Sequence, residues 1–529
     1  MSKKLIKSGI IVSAMTMISR VLGLVRDVVI ANVMGTGAGA DVFFFANKIP
    51  NFLRRLFAEG AFAQAFVPVL SEYQALDEKN GTDETRKLIA QVSGTLGVVI
   101  TLVTAIGMIA SPIIVALFGF GWFLDWYHGG EQAEKFELAS SLLKITFPYL
   151  WFISLTALAG AILNTLGKFA AAAFTPVLLN VCIIGCAIFL TEHVASPEYA
   201  LAWGVFLGGL VQFLFQIPFL YRAGVFVKPT WGWQEKGVAK IRKLIVPALF
   251  GVSVTQINLL LDTLIASFLI TGSISWLYYA DRLLEFPLGL FGIGIATVIL
   301  PSLAGLHARE NKGEFSATID WGIRVVSLMG MPALAGLMVL SQPIIMLLFM
   351  RGEFSQTDVL QVSYALYAYL SGLVSFMFIK VLAPGYYSRQ DTKTPVKIGI
   401  KAMVANMLFN LMLAPYLGYV GLALATTLSA TLNAYWLYQG LKADSVFQLT
   451  SKTKLFLVKL ALSAMVMAGF VYYLSPSFED WLTFSFLEQT WRVSAYIAAG
   501  VVMYFITLFL MGIRFSDFKV AKKSINSVR

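Results

Sequence analysis

The chain is short of the residues on which most enzymes and secreted scaffolds depend. It has 2 cysteines and 3 histidines among 529 residues. Cys182 and Cys186 sit one helical turn apart in an apolar run, where cysteine behaves as a small hydrophobe, so no disulfide framework is implied. His128, His193 and His307 fall in three separate loops, which argues against a histidine-built metal centre. There is no G-x-x-x-x-G-K-[ST] phosphate loop, which argues against ATP hydrolysis by this chain. The glycines of GLFGIGIATV, from Gly289, follow no strand and suit close helix packing better than dinucleotide binding. No Ser/His/Asp or Cys/His set presents itself, so an enzyme reading would need catalytic carboxylates in a loop.

Charge is also scarce. Only 13% of residues are charged while 58% are hydrophobic, and mean hydropathy is +0.76, outside the range of a soluble globular chain. What is present in abundance is apolar sequence of spanning length. About fourteen such runs occur, with no soluble domain between them. They centre near Val21, Phe52, Val99, Phe152, Cys182, Leu210, Leu259, Phe291, Ala335, Leu370, Met407, Thr427, Met465 and Tyr504. The N-terminal MSKKLIKSG resembles the basic region of a signal peptide. Arg20 interrupts the run behind it and no small-x-small cleavage site follows, so it reads as an uncleaved first helix.

The net charge of +11 is distributed by loop. Basic residues gather in alternate loops, as at Lys228, Lys236, Lys240, Arg242 and Lys243, or Arg389, Lys393, Lys397 and Lys401. The intervening loops, such as Asp125 to Glu137 and Glu479 to Glu488, are acidic or neutral. This is the positive-inside pattern; it puts both termini in the cytoplasm, requires an even span count and leaves no excess charge that asks for nucleic acid.

The two halves resemble each other. TGAGADVFFFANKIPNFLRRLF from Thr36 aligns with TGSISWLYYADRLLEFPLGLF from Thr271, at an offset of about 235 residues with one gap. AILNTLGKFAAAAFTPVLLN from Ala161 resembles APGYYSRQDTKTPVKIGI from Ala383, each read as a helix end, a basic loop and a Thr-Pro opening the next helix. Chance likeness of apolar helices is the competing explanation. The repeat predicts two parallel six-helix bundles, residues 1–225 and 226–445, then two further helices in 446–529, with a substrate path between the bundles.

Several apolar runs carry charged stripes. On a helical projection Ser13, Thr16, Ser19, Arg20, Gly23, Arg26 and Asp27 share an arc of about 140°. A charge left in hydrocarbon costs at least about 2.5 kcal/mol, so this face should line a hydrated cavity; intramembrane pairing, for example Arg20 with Asp27, is the bland alternative. Asn47, Asn51 and Arg54 repeat the theme beside Lys48, Arg55 and Glu59, and the second half offers Asp281, Arg282 and Glu285, with Lys380 farther on. Pro50 and Pro287 should kink or unwind their helices beside these charges. Arginine, planar and permanently charged, suits a phosphate-bearing substrate such as a lipid-linked diphosphate. The acids either orient the arginines or carry protons. Asp262, Asn406, Asn410 and Thr426 form a weaker set of oxygen donors, suited either to a cation such as Na⁺ or to hydrogen bonds among themselves.

SRVLGLVRD, ANKIPNFLRRLFAEGAFAQAFVPVL, YYADRLLEFPLGLFG and LAPGYYSRQDTKTPVK together resemble the MurJ (MviN) family of lipid II flippases. That family belongs to the multidrug/oligosaccharidyl-lipid/polysaccharide exporter superfamily, which includes MATE-type exporters. The resemblance implies an all-α, MATE-like inner-membrane transporter with no enzymatic step. It would carry lipid II, undecaprenyl-diphosphate-linked disaccharide-pentapeptide, from the cytoplasmic to the periplasmic leaflet by alternating access. It places substrate-binding roles on Arg20, Arg26, Arg54 and Arg282, with Asp41 and Glu59 also in the matching segments; Asn51, Asp281, Glu285 and Lys380 join them as substrate-binding candidates from the charged stripes. Its cation site would fall on Asp262, Asn406, Asn410 and Thr426, where Asn410 stands in place of a better-binding acid. Coupling to Na⁺ or to the membrane potential, contact with membrane lipids and with cell-wall synthesis or division proteins, and a lipid-tail groove at the last two helices follow as expectations. A cation-coupled drug exporter and a flippase for another lipid-linked oligosaccharide are the rival readings.

Overall fold

The computed structural model describes residues 3–55 and 62–514, with side chains described from residue 14 onward except at 63–64, 246–255, 293 and 297. Every regular element among the described residues is helical. Among the described residues, ten helices or helix runs are long and apolar enough to cross a membrane, and each of the fourteen run centres read from the sequence falls in a helix or its immediate π-helical continuation. Two compact units result: residues 1–275 with 351–354, and residues 276–350 with 355–529.

The first unit contains α1 (Lys3–Met34), α2 (Ala38–Leu53), α3 (Phe62–Asn80), α4 (Glu84–Ile109), α5 (Ser111–Phe118), α6 (Phe120–His128), α7 (Ala133–Thr146), α8 (Tyr149–Thr165), α9 (Phe169–Phe189), α10 (Pro197–Arg222) and α11 (Lys236–Ala266). Pro148 at the head of α8 bends the α7–α8 run without ending it. In lipid, helices associate through close packing more than through hydrophobic expulsion, so small residues mark the contacts. Gly204 and Gly208 on α10 are such a pair: a Cβ on Gly204 would stand 2.9 Å from the Ile183 Cα, and one on Gly208 would stand 2.5 Å from Leu179 of α9. Cys182 and Cys186 face the same seam as small apolar groups. Phe66 and Leu70 of α3, Leu88 and Val92 of α4, Leu158 and Ile162 of α8, and Val238 and Ile241 of α11 form one buried cluster. That cluster is why α11, which the repeat counts as the opening helix of the second half, packs with the first unit.

In the second unit α12 (Ser273–Pro287), whose first turn belongs to the first unit, runs into a π-helical segment, Leu288–Ile293, and then α13 (Gly294–Ala308). There follow α14 (Lys312–Phe349), α15 (Gln356–Leu370), α16 (Leu373–Leu382), α17 (Pro384–Tyr387), α18 (Lys393–Ala443), α19 (Ser451–Leu474), α20 (Phe478–Thr483) and α21 (Phe486–Leu510). α18 is two spans in one: Gly418, at φ 56° and ψ −135°, folds it into a hairpin, and Ser429 Oγ donates to the Ala402 carbonyl across it at 3.0 Å. α19 and α21 pack on α14 through Leu340, Phe456, Leu460, Met467 and Tyr504. At one end of that seam Thr453 bridges Asp320 (2.6 Å) and Arg324 (2.6 Å).

The repeat is visible locally. α2 begins just after Thr36-Gly37 and α12 just after Thr271-Gly272. Each then carries a proline followed by π-type turns, at Arg54–Arg55 after Pro50 and at Leu288–Ile293 after Pro287. The missing proline N–H disrupts the i→i−4 ladder and the extra residue is absorbed as a bulge. One correspondence differs from expectation. Thr394-Pro395 lies in the first turn of α18, whereas Thr175-Pro176 lies well inside α9, because the alanines of Ala170–Ala173 carry the helix back to Phe169.

Candidate functional site

α1 is almost wholly apolar around Arg26, yet the guanidinium is held firmly. Its Nε and Nη2 donate to Asp27 Oδ1 at 3.0 and 2.7 Å, and Nη1 donates to Asn180 Oδ1 of α9 at 3.1 Å. Asn180 in turn donates from Nδ2 to the Ser19 carbonyl at 3.1 Å, and Gly23 leaves room for it, its would-be Cβ standing 3.9 Å from that nitrogen. The Arg26 side chain is 14% exposed and that of Asp27 4%. Arg20, by contrast, is exposed. The intramembrane pair therefore joins Asp27 to its neighbour Arg26 rather than to Arg20 two turns away.

On α2 the spacing Asn47, Asn51, Arg54 works as a relay. Asn51 donates to the Asn47 carbonyl at 2.9 Å and accepts from Arg54 Nε at 3.1 Å, which aims a half-buried guanidinium at the π-type turn. Lys48 donates to Thr263 Oγ1 of α11 at 3.3 Å. Glu59 lies outside the described residues. Asp41 is 2% exposed and its carboxylate accepts from Gly272 N (2.7 Å), Ser275 N (2.9 Å), Ser275 Oγ (2.7 Å) and Lys135 Nζ (3.3 Å). Lys135 lies against the Trp122 ring. These contacts fasten α2 to α7 and to the start of α12.

In the second unit Arg282 donates to Glu285 Oε2 at 3.0 Å, one turn along, and lies over the Tyr278 ring at 4.9 Å while donating to its hydroxyl at 3.3 Å. Asp281 is half-buried and Glu285 exposed. Lys380 is exposed on α16, its stem lying beside Gly292 of the π segment. Of the weaker oxygen set, Asp262 belongs to the first unit, where it accepts from Asn258 at 3.4 Å. Asn406 and Asn410 are fully buried in the second, and Thr426 Oγ1 donates to the Leu422 carbonyl at 3.0 Å. No group of three or more His, Cys, Asp or Glu side chains fit for a metal occurs among the described residues.

Sequence reasoning missed Asn180 and Tyr278, the groups that orient Arg26 and Arg282. The one available signal was a lone asparagine in the apolar run LLNVCII. Chemically, each unit presents arginines whose planes are fixed by neighbouring dipoles and carboxylates, a geometry suited to an anion with paired oxygens.

Comparison with known proteins gives concordant results. A family model described as "Lipid II flippase MurJ" matches residues 30–491. A protein of Vibrio cholerae serotype O1 named "Probable lipid II flippase MurJ" is 62% identical over 520 residues, 98% of each chain. The solved structure "Lipid II flippase MurJ, inward closed conformation" is similar at 27% identity and TM-score 0.79, over 95% of this chain and 98% of that one. A MATE family multidrug transporter in an inward-facing conformation matches at 14% identity and TM-score 0.67, over 83% of this chain and 98% of that one, a likeness of fold alone.

Proposed function

The chain belongs to the family described as Lipid II flippase MurJ, and from that premise we propose how its own side chains serve the substrate. It is a transporter of the bacterial inner membrane, a lipid II flippase that works among membrane lipids and serves the assembly of the cell wall. Its fold is the all-helical one shared with MATE transporters.

The diphosphate of lipid II is bound first through Arg26. The observation that carries this assignment is a guanidinium 14% exposed in an apolar helix, braced by Asp27 and Asn180. Such a group is costly in a membrane unless it has a task, and the bracing fixes its donors before the anion arrives. Arg54, aimed by Asn51, and Arg282, aimed by Glu285 and Tyr278, act on the same chemical group at other stages of an alternating-access cycle. Arg20, Asp281 and Lys380 add cationic and polar groups along the way, and Glu59 is assigned with them from its sequence segment alone. Asp41 supports the site by holding α2 in place.

Both termini face the cytoplasm and transport runs outward to the periplasmic leaflet. An inside-negative potential then assists: one charge moved across 100 mV is worth about 2.3 kcal/mol, so a dianion gains roughly twice that. Na⁺ at Asp262, Asn406, Asn410 and Thr426 is a second source of coupling. The final pair of long helices, α19 and α21, holds the prenyl tail, and cell-wall synthesis or division proteins receive the product.

The test is made in cells whose only flippase is this chain. Lipid II accessible to an external probe is compared between wild type and Arg26→Ala at equal membrane abundance. Loss of accessible lipid II with accumulation inside is expected. Unchanged accessibility would remove Arg26 from the substrate path.

A further inference from the structure

A cavity of about 590 Å³ lies where α5, α6 and α7 meet, in the first unit, and the transport reading makes no use of it. Its polar wall comes from one face of α7. Glu137, Ser141 and Lys144 follow at i, i+4 and i+7 and all line the cavity. An acid and a base thus stand at the head of a 33-residue helix run, Ala133–Thr165, whose later part is apolar enough to cross the membrane, which puts them near the level of the lipid headgroups. Trp126 of α6 donates from Nε1 to Glu137 Oε1 at 3.0 Å, which fixes the carboxylate. Lys144 is exposed and has no ion-pair partner among the described residues.

The opposite wall is apolar, built by Ile113 and Ala116 of α5. Ile113 is 71% exposed, and Ile109 at the end of α4 and Leu117 farther along α5 are 81% and 62% exposed, apolar surface suited to acyl chains rather than water. The order along α7 is informative. Glu137 lies one turn from the helix start and Lys144 about 10 Å deeper. Helical side chains lean toward the N-terminus and a lysine stem is long enough to snorkel, so Lys144 is able to serve an anion held beside Ser141. Read from the helix start inward, the cavity offers a carboxylate, then a cation with hydroxyls, then hydrocarbon.

We propose that this cavity binds a zwitterionic aminophospholipid, with its phosphate on Lys144 and Ser141, its primary ammonium on Glu137, and an acyl chain along Ile113 and Ala116. A phosphoglycerol head would bring no cation to Glu137. A phosphocholine head carries a quaternary ammonium that cannot donate a hydrogen bond.

The test uses the purified full chain in mixed micelles with equal amounts of phosphatidylethanolamine, phosphatidylglycerol and phosphatidylcholine, with retained lipids read by native mass spectrometry. Phosphatidylethanolamine should be retained over each competitor by about threefold or more, the scale of one partly exposed charge contact. Glu137→Gln keeps the acceptor for Trp126 and should bring that ratio to about one. Lys144→Met keeps the stem and should lower retention of all three lipids. Should either variant fail to fold, Ala116→Trp, which fills the apolar wall, should abolish the preference by itself. Soluble glycerophosphoethanolamine should not displace the lipid; if it does, the site takes a free phosphate ester and the lipid assignment falls. Equal retention of the three lipids by wild type, or an unchanged preference in Glu137→Gln, would also overturn the proposal.

Discussion

Two buried acids of the first unit divide the work of the site. Asp27 lies against Arg26 and Asp41 against Lys135; Arg26 is also oriented by the Asn180 amide of α9, whereas Lys135 is enclosed against the Trp122 ring. Asn180→Ala removes a hydrogen bond from a charged donor, a change of about 1.5–3 kcal/mol. Binding of lipid II, measured by retention on the purified protein, should fall by tenfold or more, with a loss of thermal stability limited to the hydrogen bonds of this one side chain. Asp41→Asn should weigh the other way. It leaves the Lys135 ammonium buried without its counter-charge, which costs about 3–5 kcal/mol, so the unfolding temperature should drop sharply with lipid II affinity nearly unchanged in the protein that remains folded. If Asp41→Asn instead weakened binding at unchanged stability, Asp41 would belong with the substrate. At this scale the sequence was only partly legible. Periodicity put Arg20, Arg26 and Asp27 on one arc of α1, but it had no means of ranking an exposed Arg20 against a braced Arg26, because the ranking depends on α9, more than 150 residues away by Asn180's separation from Arg26.

Elements are held at their ends by groups whose strength can be read from chemistry. Asp77, at the end of α3, accepts from Thr82 Oγ1 (2.6 Å) and from the backbone N–H of Glu84 (3.0 Å) and Thr85 (2.8 Å) at the start of α4. These donors stabilise the carboxylate and lower its pKa to about 2. A depressed carboxylate contributes stability above its unfolded pKa and loses it as pH falls through the folded value. The α3–α4 loop should therefore resist cleavage by an acid-active protease at pH 4.5 and become progressively more sensitive toward pH 2. Asp77→Asn should be sensitive throughout, with a flat profile. Gly418 is the corresponding device in the second unit. Its φ of 56° with ψ −135° is open almost only to glycine, so Gly418→Ala should lower stability by about 1–3 kcal/mol, visible as a drop in unfolding temperature. Element identity was well marked in the sequence: Thr-Gly before α2 and α12, and prolines that become π-type turns. Element starts were less so, as Thr175-Pro176 inside α9 illustrates, since alanine's helix propensity outweighs a proline that a neighbouring helix can accommodate.

For the molecule as a whole, hydropathy carried most of the fold, because lipid admits only backbones whose hydrogen bonds are closed, and apolar runs of about 20 residues meet that demand as helices. What it could not carry is which helices pack together. α11 joins the first unit through Val238 and Ile241, whereas self-similarity groups it with the second half; packing reads side-chain shape and the repeat reads ancestry. The side assignment itself is open to a direct measurement. With Cys182 and Cys186 replaced by alanine, a single cysteine is placed at Lys228, in a basic loop, or at Glu131, in an acidic one. Helices α7 to α10 separate the two positions, in three spanning runs, Ala133–Thr165, Phe169–Phe189 and Pro197–Arg222. An odd number of crossings must put them on opposite faces. Glu131→Cys should react with an impermeant thiol reagent in intact spheroplasts, and Lys228→Cys only after the membrane is opened. The opposite pattern would invert the protein and place the basic loops outside, against the positive-inside rule. Labelling of both from one side would mean that one of the three runs does not cross, which would leave the even span count, and the cytoplasmic position of both termini derived from it, without support.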